Sequence, residues 1–321
     1  MVRSTIALSL AGLLALSVSS VHAQGSTAPV RILVGFAAGG AVDSVGRALA
    51  ERLRVTLKQP VIVENRPGAN QRLALSELKR SAPDGQTLVL SNSAPFTVFP
   101  HAYKKLEFDP AKDFTPIGRV ATYELCLAVG PKVPAGGIKE VLMWAKAHPS
   151  EASYGTSGPG NISHFLGGMI GNATGVQLQH VPYKGGSPAL VDLAGGQIPM
   201  IIDTIYEPME MSKSGKVRIL ATTGERRSPF LPNVPTLRES GINVSADAYV
   251  ALYGPAGMSA DKVQRLSKAL SEAMQSPELQ KRIQQFAMTH SYSTPTELAQ
   301  LQATTLAQWE GPIKSSGFSA D

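Results

Sequence analysis

Two glycine-bearing turns and a few polar residues at strand ends hold most of the chemistry open to this chain. In residues 31–53 (RILVGFAAGGAVDSVGRALAERL) an apolar run, 32–36, meets Gly39-Gly40, and Val45, Ala48, Leu49 and Leu53 follow at helical spacing. Glycines free the backbone from Cβ clashes, so this turn can aim N–H groups at an anion held at a helix N-terminus. Asp43 is suited either to that site or to capping the helix. A second turn, Gly155-Thr156-Ser157-Gly158-Pro159-Gly160-Asn161, precedes a helix expected from near Ser163. Thr156, Ser157 and Asn161 offer neutral hydrogen bonds there, and the same residue types build turns and caps. Asn92 and Ser93 follow the run 87–91, and Asp203 follows the run 198–202, at the strand ends where open α/β sheets bind ligands. A carboxylate at 203 repels an acid but accepts a bond from a ligand hydroxyl or amine, or fixes a water.

Ser157, His164 and Asp203 supply a nucleophile, a base and an acid, but not a recognisable triad motif. Residues 155–159 miss the G-x-S-x-G elbow at its last glycine, and in α/β-hydrolases the acid precedes the histidine. Residues 158–163 miss the dinucleotide fingerprint at its third glycine. A secreted serine hydrolase is therefore the least favoured reading. The histidines at 101, 148, 164, 180 and 290 show no metal-ligating helical pair, and the single cysteine, Cys126, excludes a thiolate cluster or an intrachain disulfide. No cofactor or metal is implied.

The elements that must position these residues alternate. Strands are expected at 32–36, 61–64, 87–91, 125–129, 152–154, 176–179, 198–202, 217–221 and 249–253. Helices lie between them: one carries Ile138, Val141, Leu142 and Ala145 and stops before Pro149. Another is expected with Ser187 as N-cap and Pro188 at the first helical position. The pattern predicts an α/β protein with largely parallel, doubly covered sheets. After Gly254-Pro255 the chain reads as helix, with caps at Ser259 and Ser276 and a capping box at Thr294-Pro295-Thr296-Glu297. Helices without strands must pack back on an existing domain, which makes the first domain discontinuous.

Composition bounds the function. The net charge is +6, but the basic residues occur in scattered pairs and only 6% of the chain is aromatic, which argues against nucleic-acid binding. Residues 1–23 read as a signal peptide. Arg3 precedes an apolar run too short to span a bilayer, and Val21-His22-Ala23 makes a cleavage site. The chain is expected to be exported.

Eight blocks in order then resemble the Bug, or TctC-like, family of periplasmic solute-binding receptors of tripartite tricarboxylate transporters. They are 35–43 (GFAAGGAVD), 61–69 (VIVENRPGA), 81–85 (SAPDG), 108–114 (FDPAKDF), 154–164 (YGTSGPGNISH), 181–186 (VPYKGG), 194–203 (AGGQIPMIID) and 227–235 (RSPFLPNVP). The resemblance implies a two-domain, Venus-flytrap-like fold with an inter-domain ligand cleft: domain 1 at 24–125 plus 249–321, domain 2 at 126–248, and crossings near 125–129 and 249–253. It also implies capture of a small carboxylate-bearing metabolite and delivery to the transmembrane subunits of such a transporter. The alternative is a receptor that reports to a sensor without transport. Phe36, Ala37, Ala38 and Gly39 match the turn where the family contacts a ligand carboxylate through backbone and water, Asp203 an acidic position, and Tyr183-Lys184-Gly185 a cleft-lining loop. Two helix N-termini facing each other across the cleft could hold both ends of a dicarboxylate without a buried Lys or Arg. The chain departs from the family pattern at Ala38, usually Pro. Where many members read Gly-Ala-Gly-Gly-Asn it has Gly68-Ala69-Asn70-Gln71-Arg72-Leu73; Gln71 and Arg72 in place of paired glycines stiffen the turn, and Arg72, if it faced the cleft, would favour a more acidic ligand.

Overall fold

Alternating burial along the first strands decides the architecture. In the computed structural model, which describes residues 28–320, Ile32, Val34, Leu88 and Leu90 turn to one side of a sheet and Leu33 and Val89 to the other, each into its own apolar cluster. A sheet buried on both faces needs helices on both. The segment read as a signal peptide, residues 1–23, lies outside the described residues.

The first half of the chain runs β1 (Val30–Val34), α1 (Ala41–Leu57), β2 (Val61–Asn65), a 3-10 turn (Ala69–Gln71), α2 (Arg72–Lys79), β3 (Thr87–Asn92), α3 (Ala94–Thr97), α4 (Phe99–Ala102) and the long β4 (Phe114–Val129). There follow α5 (Ile138–Ala147), β5 (Ser153–Thr156), α6 (Ile162–Thr174), β6 (Gln179–Pro182), α7 (Gly186–Ala194), β7 (Met200–Thr204), α8 (Tyr206–Ser212) and β8 (Arg218–Thr222). The chain ends with β9 (Asp247–Pro255), α9 (Ala260–Ala273), α10 (Pro277–Gln284), β10 (Thr289–His290) and α11 (Pro295–Ser316).

The strand order is β2-β1-β3-β9-β4-β7-β5-β6, with β8 and β10 also on β4. Within β1–β3 and within β5–β7 the strands are parallel, as the alternating pattern predicts. The pairing is antiparallel where β9 and β4 join the halves. β4 belongs to both: Phe114 to Glu124 pair with β9, and Leu125 to Val129 pair with β7. The change of partner along β4 therefore falls between Glu124 and Leu125, and β9 pairs with the Phe114 to Glu124 part of it. The apolar runs flagged in the sequence mark strand interiors; polar Tyr123, Glu124 and Asp247 mark the passage between lobes.

The C-terminal helices pack back as expected. Leu266, Leu270 and Ile283 join Leu49, Leu53 and Leu88 in one layer, and Leu298 joins Leu75, Phe96 and Tyr253 in another. Burying each such side chain contributes about 1.5–3 kcal/mol. Thr294 and Glu297 form the reciprocal capping box, and the Ser276 hydroxyl accepts the Leu279 N–H. Ser259 is the N-cap of α9, though its side chain makes no capping bond. Two local expectations fail. α7 starts at Gly186 with Gly185 as N-cap, and the Ser187 hydroxyl donates to Glu207 instead. The strand expected at 176–179 begins only at Gln179, because the Val176 N–H closes α6 by donating to Gly171 O at 3.1 Å around left-handed Gly175.

Candidate functional site

The glycine turn after β1 delivers α1 with its N-terminus open. Gly39 has φ 90°, a conformation that suits glycine, and Gly40 is the N-cap. Asp43, at the third helical position, folds back to accept the Gly39 N–H at 2.8 Å and is held by Asn65 and Arg47. It secures the turn and withdraws the Gly39 amide from any ligand. Burial raises and these hydrogen bonds lower its carboxyl, the net result lying below its ordinary value. The amides of the first turn have no intrahelical acceptor, and Gly40, Ala41 and Val42 line a cavity of about 320 Å³.

The second turn delivers α6 in the same manner. Asn161 caps it by accepting the His164 N–H at 2.9 Å, and the Asn161 amide donates to Ser157 Oγ at 3.0 Å. Ser157, Asn161, Ile162 and Ser163 line a smaller inner cavity of about 80 Å³ with Asn92, Tyr123, Asp203 and Thr204. The two cavities share Asn92, Tyr123, Ser157 and Thr204. They form one cleft between residues of the first lobe and residues of the second, with α1 opening on the outer part and α6 on the inner.

Among the described residues no Lys or Arg lines either cavity, whereas three carboxyl groups do. Burial pushes the Asp203 carboxyl up to about 7, with the Glu207 charge adding to the effect; its Oδ1 accepts the adjacent Thr204 N–H at 2.8 Å. Burial likewise lifts Glu124 to about 7, helped by Asp247 across the ladder. The outer cavity is walled by Phe36, Ile205, Tyr206, Phe286 and Met288. Tyr206 of the second lobe meets Phe286 of the first with ring centroids 5.2 Å apart.

The structure thus brings Phe36, Gly39, Asn92, Ser157, Asn161 and Asp203 to the cleft. Ala37 and Ala38 are exposed on the turn and line neither cavity. Ser93, Thr156 and Tyr183 serve the framework instead. The Ser93 hydroxyl is buried and accepts the Tyr249 N–H, Thr156 Oγ1 is buried against His180 Nε2 at 2.7 Å, and the Tyr183 hydroxyl donates to Asp192 at 2.8 Å. Arg72 turns away from the cleft, paired with Glu107 at 3.1 Å and lying over the Tyr103 ring. The Ser157, His164, Asp203 set is not a triad: His164 Nδ1 accepts the Gly160 N–H at 3.1 Å, and neither other residue bonds it. Tyr123, Glu124, Thr204 to Glu207 and Phe286 to Met288 were not singled out from sequence. The segment 204–207 directly follows Asp203, which is a usable signal. Phe286 to Met288 carry none, because they reach the cleft from a helical region far along the chain.

Two lobes on a shared strand, with helix N-termini opening into the cleft between them, define a two-lobed periplasmic-type binding protein. The chain belongs to the TctC family, the tripartite tricarboxylate transporter family receptors, whose family model matches residues 45–318. A Cupriavidus necator protein, the UPF0065 protein in the gbd 5' region, is 35% identical over 90% of this chain and 88% of its own length. The periplasmic binding protein BugD superposes with a TM-score of 0.80 at 32% identity, covering 91% of this chain and 99% of its own. An R. palustris protein solved with adipate gives 0.83 at 27% identity, covering 91% and 98%.

Proposed function

We propose that this protein is an extracytoplasmic receptor that closes its two lobes, one built around β1 to β3 and β9 and the other around β5 to β8, on a small carboxylate-bearing solute. It would hand the solute to the membrane subunits of a tripartite tricarboxylate-type transporter. The observation that carries the reading is the pair of helix N-termini opening into one cleft, with Asn92, Ser157 and Asn161 as neutral partners and no cation in its walls. Backbone amides and neutral side chains then do what Lys or Arg does elsewhere, and the ligand is released without separating a buried ion pair. The adipate-bound relative supports this ligand class, and the passage of β4 between lobes supplies a place for hinge motion. The site does its work by binding; no turnover is proposed. Among the described residues no helix is long and apolar enough to cross a membrane. A thermal-shift screen of mono-, di- and tricarboxylates tests the binding: a ligand at 100 times its dissociation constant adds about 2.7 kcal/mol. At least one acid should raise the melting temperature, and Ser157→Ala should weaken its binding; a panel without any shift overturns the reading.

A further inference from the structure

We propose that Gln71 sets the orientation of the Asn92 side-chain amide, turning its N–H₂ edge into the cleft so that this corner selects a ligand oxygen over a ligand N–H. The proposal rests on the carboxylate-receptor reading above.

Oxygen and nitrogen of an asparagine amide are told apart by their partners. The backbone N–H of Ala94 can only donate, and it meets Asn92 Oδ1 at 3.3 Å. Gln71 Nε2 donates to the same oxygen at 2.8 Å. Gln71 is oriented in turn by Ser91, whose hydroxyl donates to Gln71 Oε1 at 2.9 Å. With its oxygen held twice, Asn92 is left with Nδ2 for the cleft. That nitrogen carries two N–H donors for a bound molecule. Asn92 and Tyr123 both line the inner and outer cavities.

Gln71 itself is buried and lines neither cavity. Its backbone sits at φ 71°, after Ala69 at 47° and Asn70 at 52°, a left-handed run that residues with side chains adopt at a cost. The side chain is wedged over Gly35, where an added Cβ would fall 2.6 Å from Gln71 Cβ. The conformation places the amide where its donor meets Asn92 and its acceptor meets Ser91. Gln71 is therefore a positioning residue, acting through Asn92.

The test compares acids with their own amides: adipate with adipamide, succinate with succinamide, and benzoate with benzamide, titrated calorimetrically into wild type, Gln71→Met and Gln71→Glu. Methionine keeps the length and removes both hydrogen bonds. Glutamate can only accept, so it draws Asn92 Nδ2 towards itself and turns Oδ1 into the cleft. Gln71→Met should shrink the preference for acid over amide about threefold, and Gln71→Glu about tenfold or past inversion, with unfolding midpoints confirming that each variant folds. NMR of the Asn92 side-chain N–H₂ gives a readout that needs no ligand: slow rotation and exchange in wild type, faster in Gln71→Met. If wild type binds acids and Gln71→Met leaves both the acid-to-amide ratio within twofold and the Asn92 signals unchanged, the role of Gln71 is overturned while the receptor reading stands. If no acid binds wild type, the receptor reading falls and the proposal with it.

Discussion

Acid should loosen the floor of the second ligand turn, because two neutral imidazoles are stacked beneath it. His164 and His180 lie with ring centroids 3.9 Å apart, and His180 Nε2 meets Thr156 Oγ1 at 2.7 Å. His164 Nδ1 accepts the Gly160 N–H, so a proton on that nitrogen would remove a bond holding the turn. Burial lowers both rings to about 4, and for His180 the neighbouring His164 charge lowers it further. A folded-state value below the ordinary 6.5 means that the unfolded chain binds more protons in between. The stability is present above about 6.5 and is lost as pH falls towards 4. Between pH 7 and pH 5 the loss is about 2 kcal/mol for each ring. Asp203 and Glu124 titrate in the opposite sense over the same range, so the wild-type curve alone does not isolate the effect. The comparison is with His180→Gln, whose side-chain amide can still reach Thr156. Urea unfolding at pH 5, 6 and 7 should show the variant gaining about 2 kcal/mol or more on wild type as the pH drops. Parallel curves would refute the reasoning.

Two other perturbations have clear signs. Asp203 is raised to about 7 by burial; the stability linked to its protonated form is present below about 4 and is lost as pH rises through 7. Asp203→Asn should accordingly gain on wild type by about 3–4 kcal/mol from pH 4 to pH 8, read as a divergence of unfolding curves. Gly167 faces the Tyr154 ring, and an added methyl would fall on it. Since the Tyr154 hydroxyl is anchored to His164 O at 2.7 Å, the ring cannot swing clear, and Gly167→Ala should destabilise by about 1–3 kcal/mol in urea titration.

Sequence made the repeating elements legible because each follows from neighbours in the chain. Ile32 and Val34 against Leu33 announce a doubly buried strand, and Thr294 with Glu297 announces a helix start. The turn 155–161 is likewise readable as the lead-in to α6. Side-chain direction is not local, and the sequence does not disclose it. Ser93 and Thr156 have the right chemistry for a ligand site, yet both turn inward to bond Tyr249 and His180. Arg72 meets Glu107 and Tyr103, thirty or more residues away, and is drawn off the cleft. Phe286 to Met288 carry an ordinary helix-end pattern. Only the left-handed turn at Ala287, φ 51°, and the burial of Ala287 in the second lobe's apolar cluster bring them to the cleft.

The place of β9 in the sheet also dictates an order of assembly. β3 and β4 do not pair with each other; β9 lies between them and bonds both. Until residues 247–255 and the helices after them exist, the first lobe has an open edge at β3 and apolar faces with nothing to cover them. The segment 125–222, by contrast, contains all of β5 to β8 and the helices between them. The later-made lobe can therefore pair its own strands first, although Trp309 and Ile313 of α11 complete its apolar cluster, while the lobe made first waits for the end of the chain and for contacts spanning more than a hundred residues, the kind that slow folding. The cleft then forms in the last step, and a truncation before β9 removes the first lobe's fold as well as its ligand-binding wall.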